Sequence, residues 1–398
     1  MTFHNRGVRM EEILLLKLGE VVLKGLNRGY FEQKLETAVK RRLKPFGDFK
    51  VYTSQSTIYA EPQGSADIDG AFSAATRVFG IVSVSRAVGC PKEKDAIADT
   101  AIRYLAGEMR RAKSFKVESK RADKRFPMTS IQLSQYVGGL LADAFPGTAV
   151  DVHSPELTVN VEVRDFFAYV HAGGAPGAGG LPEGSSGRAV TLLSGGIDSP
   201  VASYLIARRG MRLIPVHFFS FPYTSELAKE KVLRLTELLG AFCGRLTLEV
   251  VPFTKIQEEI RRKCPEEYFT LLMRRFMMRI AEKIGASNGC SALVTGENLG
   301  QVASQTIEAM AATEAVVSLP VLKPLVGLDK EDIVRMARKI GTYDTSVLPY
   351  EDCCTIFTPR HPKTKPRLAE VERAESRLDV QALVDEAVAG IERIRVGE

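Results

Sequence analysis

The segment Ser194-Gly195-Gly196-Ile197-Asp198-Ser199 is the stretch whose residue types point most directly to chemistry. An apolar run at 190–193 precedes it and a helical pattern at 200–209 follows it, which predicts a strand, a loop and a helix. Two adjacent glycines let backbone N–H groups turn toward an anion, and the N-terminus of a helix adds a positive dipole end. The sequence therefore predicts a loop that binds a phosphate or pyrophosphate group.

This loop differs from two other common phosphate loops, because neither G-x-x-x-x-G-K-[ST] nor G-x-G-x-x-G occurs there. The pattern Ser-Gly-Gly-x-Asp-Ser resembles the PP-loop of the ATP pyrophosphatase family, whose members join AMP to a substrate oxygen and release pyrophosphate. The resemblance implies ATP with Mg²⁺, and the backbone amides of residues 194–199 would stabilise the phosphate charge. Asp198 is expected to assist the binding of Mg–ATP, although the same residue could be a helix N-cap.

Two adjacent cysteines, Cys353 and Cys354, are the residues that could carry sulfur. The six cysteines lie at positions 90, 243, 264, 290, 353 and 354 without C-x-x-C spacing, so neither a disulfide framework nor a metal site is predicted. A basic stretch at 360–365 would favour the thiolate if it folds back beside the pair. The alternative is that both cysteines are buried apolar residues. The other four are expected to be structural.

The elements that would position these residues alternate between strand and helix from residue 188 onward. This alternation predicts a doubly wound parallel sheet, in which ligands bind at the carboxyl ends of the strands. The loop at 194–199, His217-Phe218 and Thr295-Gly296-Glu297 would then surround one crevice. Strands are predicted at 190–193, 213–218, 246–251 and 291–295, and helices at 200–209, 225–239, 254–262, 267–284, 300–312 and 330–340, with a charged helical stretch at 368–396.

The first half of the chain predicts two smaller domains. The first is a β-α-β-β-α unit of ferredoxin-like type, and the second is an α+β domain. The first unit has strands at 13–18, 50–53 and 57–60 with helices at 28–43 and 66–78; strands at 81–88, 115–119, 157–163 and 166–171 and helices at 92–109 and 130–144 follow. We expect domains at 1–68, 69–174 and 188–398, with a Gly-rich linker at 175–187. A loop that contacts the nucleotide is the alternative for the Gly-rich segment.

Positive charge is concentrated in the first half, although the net charge is only +6 over 398 residues. Nine Lys or Arg against three acidic residues lie at 103–125, and seven against two lie at 24–44. Such clusters favour RNA, because each cation that contacts a phosphate releases counterions, whereas a solvated helix face is the alternative. The predicted phosphate contacts are Lys120, Arg121, Lys124 and Arg125, and the neighbouring Phe126 could stack on a base or anchor the loop in the core.

Motifs along nearly the whole chain resemble the tRNA 4-thiouridine synthetase family. Leu18-Gly19-Glu20 and Leu23-Lys24-Gly25-x-Asn27-Arg28 are similar to its N-terminal domain, the following segment resembles a THUMP RNA-binding domain, and the PP-loop domain completes the match. The resemblance implies an enzyme that adenylates O4 of uridine 8 in tRNA and replaces that oxygen with sulfur from a persulfide. It also implies sulfur transfer to the thiamine thiazole pathway.

The same resemblance assigns site residues and partners. Cys353 aligns with the catalytic cysteine of the family and is preferred to Cys354. Without the resemblance, His217 would be a core histidine and Gln305 could be a surface residue. The cations of the helix that holds Arg274 could face phosphate, although Arg275 could instead face solvent. The ATP contacts carried over are Leu192, Leu193, His217, Phe218, Arg274, Gly296 and Gln305. The implied partners are tRNA, a cysteine desulfurase as persulfide donor and a thiamine-pathway sulfur carrier protein.

Other interpretations stay open. No rhodanese domain is expected after the helical stretch that ends near Glu398, so the sulfur relay must use another partner. The alternative enzymes are a tRNA 2-thiolating enzyme and a lysidine synthetase, and the non-catalytic alternative is an RNA-binding protein with a vestigial nucleotide domain. Neither a membrane span nor a signal peptide is predicted, so we expect a cytoplasmic protein. A homodimer, with the RNA module of one subunit serving the catalytic domain of the other, is a hypothesis.

Overall fold

The computed structural model describes residues 11–353, 356–357 and 359–397. The chain divides into two compact units, Met1–Leu181 and Pro182–Glu398. Cys354, the alternative sulfur carrier, lies outside the described residues. Within the described part of the chain, every helix is too short or too polar to cross a membrane.

The first unit begins with a ferredoxin-like arrangement, as predicted. Its strands pair antiparallel in the order β2-β3-β1-β4. Leu14 and Leu16 alternate along the first strand and pack against the two helices through Leu35 and Ala71. The elements are β1 (Glu12–Leu18), α1 (Arg28–Leu43), β2 (Asp48–Ser54), β3 (Thr57–Gln63), α2 (Ile68–Ala75) and β4 (Ile81–Cys90). The predicted boundary at 68/69 would separate α2 from the core on which it packs.

The predicted α+β domain continues the same sheet. Strand β4 is long enough to pair with β1 over most of its length and with β8 at Val88–Cys90, giving a nine-stranded sheet among the described residues. The elements are α3 (Lys94–Tyr104), α4 (Ala106–Arg111), β5 (Ser114–Arg121), α5 (Ser130–Ala144), β6 (Ala149–Val150), β7 (Leu157–Val163), β8 (Ala168–His171) and β9 (Ala175–Pro176). The single helix predicted at 92–109 is wrong, because the backbone leaves the helical conformation at Leu105. The helix predicted at 130–144 is confirmed, and a capping box of Thr129 and Gln132 begins it.

The Gly-rich segment is ordered against the first unit over its first half. Strand β9 pairs with β4, the Gly177 amide donates to the Val82 carbonyl at 2.9 Å, and the Gly80 amide donates to the Gly179 carbonyl at 2.8 Å. A Cβ on Gly177 would lie 2.3 Å from the Ile81 oxygen. Glycine is therefore needed there for close backbone approach, a role that composition alone does not distinguish from the flexible linker predicted at 175–187.

The second unit has the predicted doubly wound sheet. Its strand order is β14-β13-β10-β11-β12-β15, and all neighbours are parallel except β12 and β15. Val190 of β10 packs in the core with α9, whereas the next side chain, Thr191, bonds Ser203 of α6 at 2.8 Å, so both faces of the sheet are covered. The elements are β10 (Arg188–Leu192), α6 (Asp198–Arg208), β11 (Arg212–Phe219), α7 (Glu226–Cys243), β12 (Leu246–Pro252), α8 (Thr254–Lys263), α9 (Phe269–Ser287), β13 (Ala292–Val294), α10 (Ile307–Glu314), β14 (Val321–Leu322), α11 (Lys330–Lys339), α12 (Tyr343–Ser346), α13 (Leu368–Glu375), α14 (Val380–Ala389) and β15 (Glu392–Val396).

The helical stretch predicted at 368–396 is wrong at its end. Helices α13 and α14 occupy most of it, but residues 392–396 form strand β15. Ile394 pairs with Leu248, and the Arg393 guanidinium bonds the Glu249 carboxylate at 3.0 Å. Charged side chains are common on edge strands, which is why the charged composition of this segment did not distinguish a strand from a helix.

Candidate active site

The predicted phosphate loop lies at the carboxyl end of β10, between the neighbouring strands β11 and β13. The Ser199 hydroxyl accepts from the Ser194 amide at 2.9 Å, and the Ser194 hydroxyl accepts from the Gly196 amide at 3.3 Å. These bonds fold residues 194–199 into a closed turn that leads into α6 and includes its first two residues. The N-terminus of α6, which follows directly, adds the positive dipole end that favours an anion.

A pocket of about 460 Å³ opens beside this loop. Its apolar wall includes Leu192, Phe218 and three methionines of α9, which provide a surface suited to a flat, uncharged ring. The predicted site residues that line it are Leu192, Leu193, Ser194, Gly196, Asp198, Ser199, His217, Phe218, Arg274, Gly296, Gln305 and Cys353. The structure thus brings these predicted nucleotide contacts and the predicted sulfur carrier to one pocket, whereas Gly195, also predicted, does not line it.

Gly296 allows the loop after β13 to approach the phosphate loop. A Cβ at this position would lie 2.8 Å from both Cα and N of Ser199, which is closer than real Cβ contacts. Glycine at this position therefore allows a close approach between two backbone segments of the chain itself. Its consequence is that the loop after β13 and the start of α6 form one continuous wall.

His217 is buried, with 3 % of its surface exposed, and its Nδ1 lies 3.1 Å from the Leu193 carbonyl oxygen. Burial lowers the pKa of His217, although the Asp352 carboxylate opposes the shift. The ring is therefore neutral near pH 7, and Nδ1 carries the proton that is donated to Leu193. The hydrogen bond between His217 and Leu193 holds the ends of their two segments together. His217 is therefore both a buried core histidine and a residue that lines the pocket.

Arg274 and Arg275 have different environments although they are adjacent on α9. Arg274 lines the pocket, forms an ion pair with Glu297 and donates to the Ser304 hydroxyl at 3.3 Å. Arg275 is 2 % exposed and donates to both carboxylate oxygens of Glu375, at 3.0 and 2.7 Å. The idea that Arg275 faces solvent is wrong, because this guanidinium belongs to a buried ion pair.

Asp198 is the first residue of α6, and Ile197 occupies the N-cap position without a side-chain cap bond. The alternative that Asp198 is the N-cap is therefore wrong. Its carboxylate accepts from Lys330 at 2.5 Å and from Gln301 at 2.8 Å, and the side chain is 21 % exposed at the pocket. A carboxylate held at this point can ligate a hard cation that also binds phosphate oxygens.

Gln305 precedes α10, which begins only at Ile307, so the helix predicted at 300–312 is wrong over its first seven residues. The turn that replaces it is closed by the Gly300 amide, which donates to the Gln305 carbonyl at 2.8 Å. The side-chain Oε1 of Gln305 is buried and has no hydrogen-bond partner among the residues that the structure describes. A buried acceptor of this kind requires a donor, and Gln305 lines the pocket where a ligand would supply one.

Three contacts position Cys353, whose surface is 4 % exposed. The side-chain amide of Gln257 donates to the Cys353 backbone carbonyl at 2.8 Å. The Lys231 ammonium donates to the Leu348 carbonyl at 2.8 Å, and the preceding Asp352 carboxylate accepts from the Gly195 amide at 2.9 Å. The segment with the cysteine is thus bonded directly to the phosphate loop.

The sequence interpretation missed Asp352, Lys231 and Gln257. The only signal for Gln257 is its position beside Ile256 and Ile260 on the apolar face of α8, where a polar side chain needs a buried partner. Asp352 could have been noted as the carboxylate next to the cysteine. Burial lowers the pKa of Lys231, and Asp352 opposes that shift.

The basic stretch at 360–365 does fold toward this site. Pro362 lines the pocket, and the Lys363 amide donates to the Glu267 carbonyl at 3.1 Å.

The cysteines predicted to be structural are buried or half-buried. Burial raises the pKa of Cys90 to about 11, and burial also raises the pKa of Cys264 and Cys290, so these thiols are protonated near pH 7.

The predicted RNA contacts of the first unit lie at the end of β5. Lys120, Lys124 and Arg125 are exposed, whereas Arg121 donates to the backbone carbonyls of Phe126 and Met128 at 2.9 and 3.1 Å. Arg121 therefore orders the loop at residues 120–126, here called the basic loop. Phe126 is 6 % exposed in the core, so the stacking alternative for this ring is wrong and the anchoring one is confirmed.

Three family models match the chain. They are described as ThiI ferredoxin-like domain at residues 13–85, THUMP domain at 91–171 and Thiamine biosynthesis protein (ThiI) at 184–380. A probable tRNA sulfurtransferase of Acetivibrio thermocellus is 48 % identical over 97 % of this chain and 99 % of its own length. One of Brevibacillus brevis is 44 % identical over 96 % of this chain and 95 % of its own length.

Solved structures agree with this match. A crystal structure of a 4-thiouridine synthetase–RNA complex with bound ATP superposes with a TM-score of 0.89 at 34 % identity, covering 97 % of this chain and all of that one. PH1313 from Pyrococcus horikoshii shares the fold, with a TM-score of 0.65 at 24 % identity over 83 % of this chain and 99 % of its own. With relatives this similar over nearly its full length, the chain belongs to the ThiI family of tRNA sulfurtransferases.

Proposed function

We propose that the protein uses ATP to activate O4 of uridine 8 in tRNA and replaces that oxygen with sulfur carried by Cys353, giving 4-thiouridine. The observation that carries the proposal is that Cys353 and the phosphate loop line one pocket and that Asp352 bonds the loop directly. Family membership supports the reaction class, and the pocket supports the assignment of residues.

The first step needs a site for phosphate charge. Uridine O4 attacks the α-phosphorus of ATP, the bond to pyrophosphate breaks, and the uridine becomes an adenylate. Arg274 and the start of α6 line the pocket and can stabilise the charge that develops on the phosphate oxygens, and the Gly195 amide can join them when a phosphate displaces Asp352. The apolar wall suits adenine, and Oε1 of Gln305, which has no hydrogen-bond partner within the described part of the chain, can accept a hydrogen bond from a nucleotide donor.

Mg²⁺ fits the pocket through Asp198, because this ion commonly binds one or two carboxylates together with phosphate oxygens. When bound, Mg²⁺ neutralises phosphate charge. Lys330 and Gln301 hold the Asp198 carboxylate at the start of α6.

The second step needs a nucleophilic sulfur. The terminal sulfur of a Cys353 persulfide attacks C4, the C4–O bond breaks and AMP leaves. A thiol then attacks the Cys353 sulfur, which breaks the S–S bond, leaves sulfur on the uridine and forms a disulfide at Cys353. A cysteine desulfurase is the proposed source of the persulfide.

A thiolation assay separates these steps. Unmodified tRNA transcript is incubated with ATP, Mg²⁺ and a persulfide source, and both pyrophosphate release and sulfur in tRNA are measured. Cys353→Ala is expected to lose sulfur insertion while tRNA-dependent pyrophosphate release persists. Cys264→Ala, which changes a thiol outside the pocket, is the matched control. Full thiolation by Cys353→Ala would reject Cys353 as the carrier, and the absence of any sulfur in tRNA with the unaltered protein would reject the reaction.

Two further proposals concern a second sulfur acceptor and the oligomeric state. The description of the matching family model supports sulfur transfer to a thiamine-pathway carrier protein. A deletion strain that requires thiamine tests this when it carries the Cys353→Ala variant. The homodimer is tested by light scattering with and without tRNA, since a monomeric mass in both conditions would exclude it.

A further inference from the structure

We propose that Phe166 is a stacking platform for an unpaired base of the RNA substrate. The residue belongs to the turn Arg164-Asp165-Phe166-Phe167 between β7 and β8, here called the aromatic turn. The inference rests on the proposed function, because it takes tRNA as the ligand. It adds a base-binding site to the phosphate contacts predicted from the basic loop.

The aromatic turn holds large apolar rings in solvent. Phe166 is 85 % exposed and Phe167 is 53 % exposed, whereas Phe115 and Phe126 of the same domain are buried. The strand predicted at 166–171 begins only at Ala168, so neither ring belongs to the sheet. An exposed Phe gives up the free energy of burial, which a ring that stacks on a base would recover.

The aromatic turn is held firmly by polar contacts. The Arg164 amide donates to the Phe167 carbonyl at 2.9 Å and closes the turn. The Lys92 ammonium donates to the Asp165 backbone carbonyl at 2.5 Å, and the side-chain amide of Gln55 donates to the Asp165 carboxylate at 2.7 Å. Phe166 is therefore presented on a preorganised turn, and binding a base there costs little ordering of the backbone.

A buried carboxylate supports the same turn. Burial alone would raise the pKa of Glu162, but hydrogen bonds and charges from His171, Lys17 and Arg164 outweigh it, and the pKa lies well below its usual range. Glu162 is therefore ionised and anchors the Arg164 guanidinium at the start of the turn.

Lys92 also connects the aromatic turn to the basic loop. Its ammonium lies 2.6 Å from the Asp123 carboxylate, which in turn accepts from the Arg125 amide at 2.9 Å. The Arg125 side chain is 84 % exposed, and Lys124 beside it is also exposed. Cations for phosphates and a ring for a base thus lie next to each other on one rigid framework.

This combination fits single-stranded RNA. In an RNA duplex the bases are stacked on each other and proteins contact mainly phosphates and 2′-hydroxyls, so an aromatic platform has no base to bind. Unpaired bases stack on Phe, and neighbouring cations follow the backbone. The adjacent positive charge favours this ligand over an apolar protein surface.

The test compares Phe166→Ala, Phe166→Leu and Phe166→Tyr in the full chain. Binding is measured by fluorescence anisotropy with tRNA transcript, a single-stranded oligonucleotide and a duplex of the same sequence, at several salt concentrations. Phe166→Ala and Phe166→Leu are expected to weaken tRNA and single-strand binding about 5- to 100-fold, and Phe166→Tyr to restore it. Duplex binding and the slope of affinity against salt should stay unchanged, because stacking releases no counterions.

Several outcomes would overturn the proposal. Equal binding by Phe166→Ala and the unaltered protein rejects stacking while tRNA binding itself stands. Full binding by Phe166→Leu indicates an apolar contact without stacking, and an equal loss for the duplex indicates a contact with phosphate or sugar. A change of molecular mass in sedimentation with Phe166→Ala, without a change in RNA affinity, assigns the ring to a protein interface. If the unaltered protein binds no tRNA, it is the proposed function that fails.

Discussion

The pocket of the second unit and the basic surface of the first unit expose their functional groups to very different degrees. His217, Cys353 and Gln257 are almost fully buried, whereas Arg125 and Phe166 are almost fully exposed. Chemistry at a phosphate and a thiol needs positioned groups away from water, and recognition of a long polyanion needs groups that reach outward. The two regions therefore differ in which property a substitution should change.

The largest expected effect concerns Glu375, which forms ion pairs with both Arg275 and Arg279 inside the second unit. Glu375→Leu is expected to lower the free energy of unfolding by about 3–5 kcal/mol, because it leaves a buried guanidinium without its charge partner. Glu386→Leu, which breaks an exposed pair with Lys255, should change it by less than about 1 kcal/mol. Denaturant unfolding of the two variants measures the difference, and equal losses would contradict the role given to burial.

The same carboxylate predicts a pH dependence. Burial alone would raise the pKa of Glu375, but hydrogen bonds and charges from the two arginines outweigh it, so the folded pKa lies below the usual value for a glutamate. This contribution to stability is present above about pH 4.5 and is lost as the pH falls through the folded pKa. Unfolding between pH 6 and pH 3 should therefore be less pH-dependent in Glu375→Leu than in the unaltered protein, and parallel curves would count against it.

Gln257 tests whether the position of the cysteine matters separately from nucleotide binding. Gln257→Leu keeps the size of the side chain but leaves the buried Cys353 carbonyl without this donor. Sulfur insertion should fall about tenfold to a hundredfold, as expected for one lost buried hydrogen bond, while ATP affinity stays unchanged. A parallel loss of ATP affinity would mean that Gln257 supports the whole pocket.

Substitution of Asp352 tests whether its carboxylate competes with a nucleotide phosphate for the Gly195 amide. Its carboxylate bonds the Gly195 amide, and a nucleotide phosphate that uses the same donor must displace this negative charge. Asp352→Asn is expected to tighten ATP binding about two- to tenfold by removing the repulsion. Adenosine, which has no phosphate, is the control ligand in calorimetry and should bind both proteins equally. Weaker ATP binding by the variant would assign Asp352 a supporting role.

The smallest effect is expected at Arg125. Its substitution should change tRNA affinity and leave stability unchanged, whereas substitution of Glu375 should change stability. Arg125→Ala is expected to weaken tRNA binding by a few fold and to reduce the salt slope by about 1, because one phosphate contact is lost. Stability and sulfur insertion at saturating tRNA should not change. Arg335→Ala, an exposed arginine of the second unit, is the matched control. An unchanged salt slope would remove Arg125 from the RNA surface.

Much of the fold could be predicted because local patterns are strong in this chain. The periodic apolar residues of α5 indicate that helix and its capping box marks where it begins, and the alternation of elements after residue 188 indicates a parallel sheet. The errors lie where tertiary contacts outweigh local preference. The segment 300–306 is a turn closed between Gly300 and Gln305, and residues 392–396 add a strand to the edge at β12.

The candidate site divides in the same way. The sequence alone predicted the phosphate loop, because two glycines between a strand and a helix have a local physical meaning, and it predicted the sulfur carrier from the chemistry of cysteine. Only the tertiary structure decided that Asp352 bonds Gly195, that Gln257 holds Cys353, that Phe126 is buried and that Phe166 is exposed. The reason is that the first two contacts join residues about a hundred or more positions apart, and the exposure of each ring depends on neighbours that no local pattern specifies.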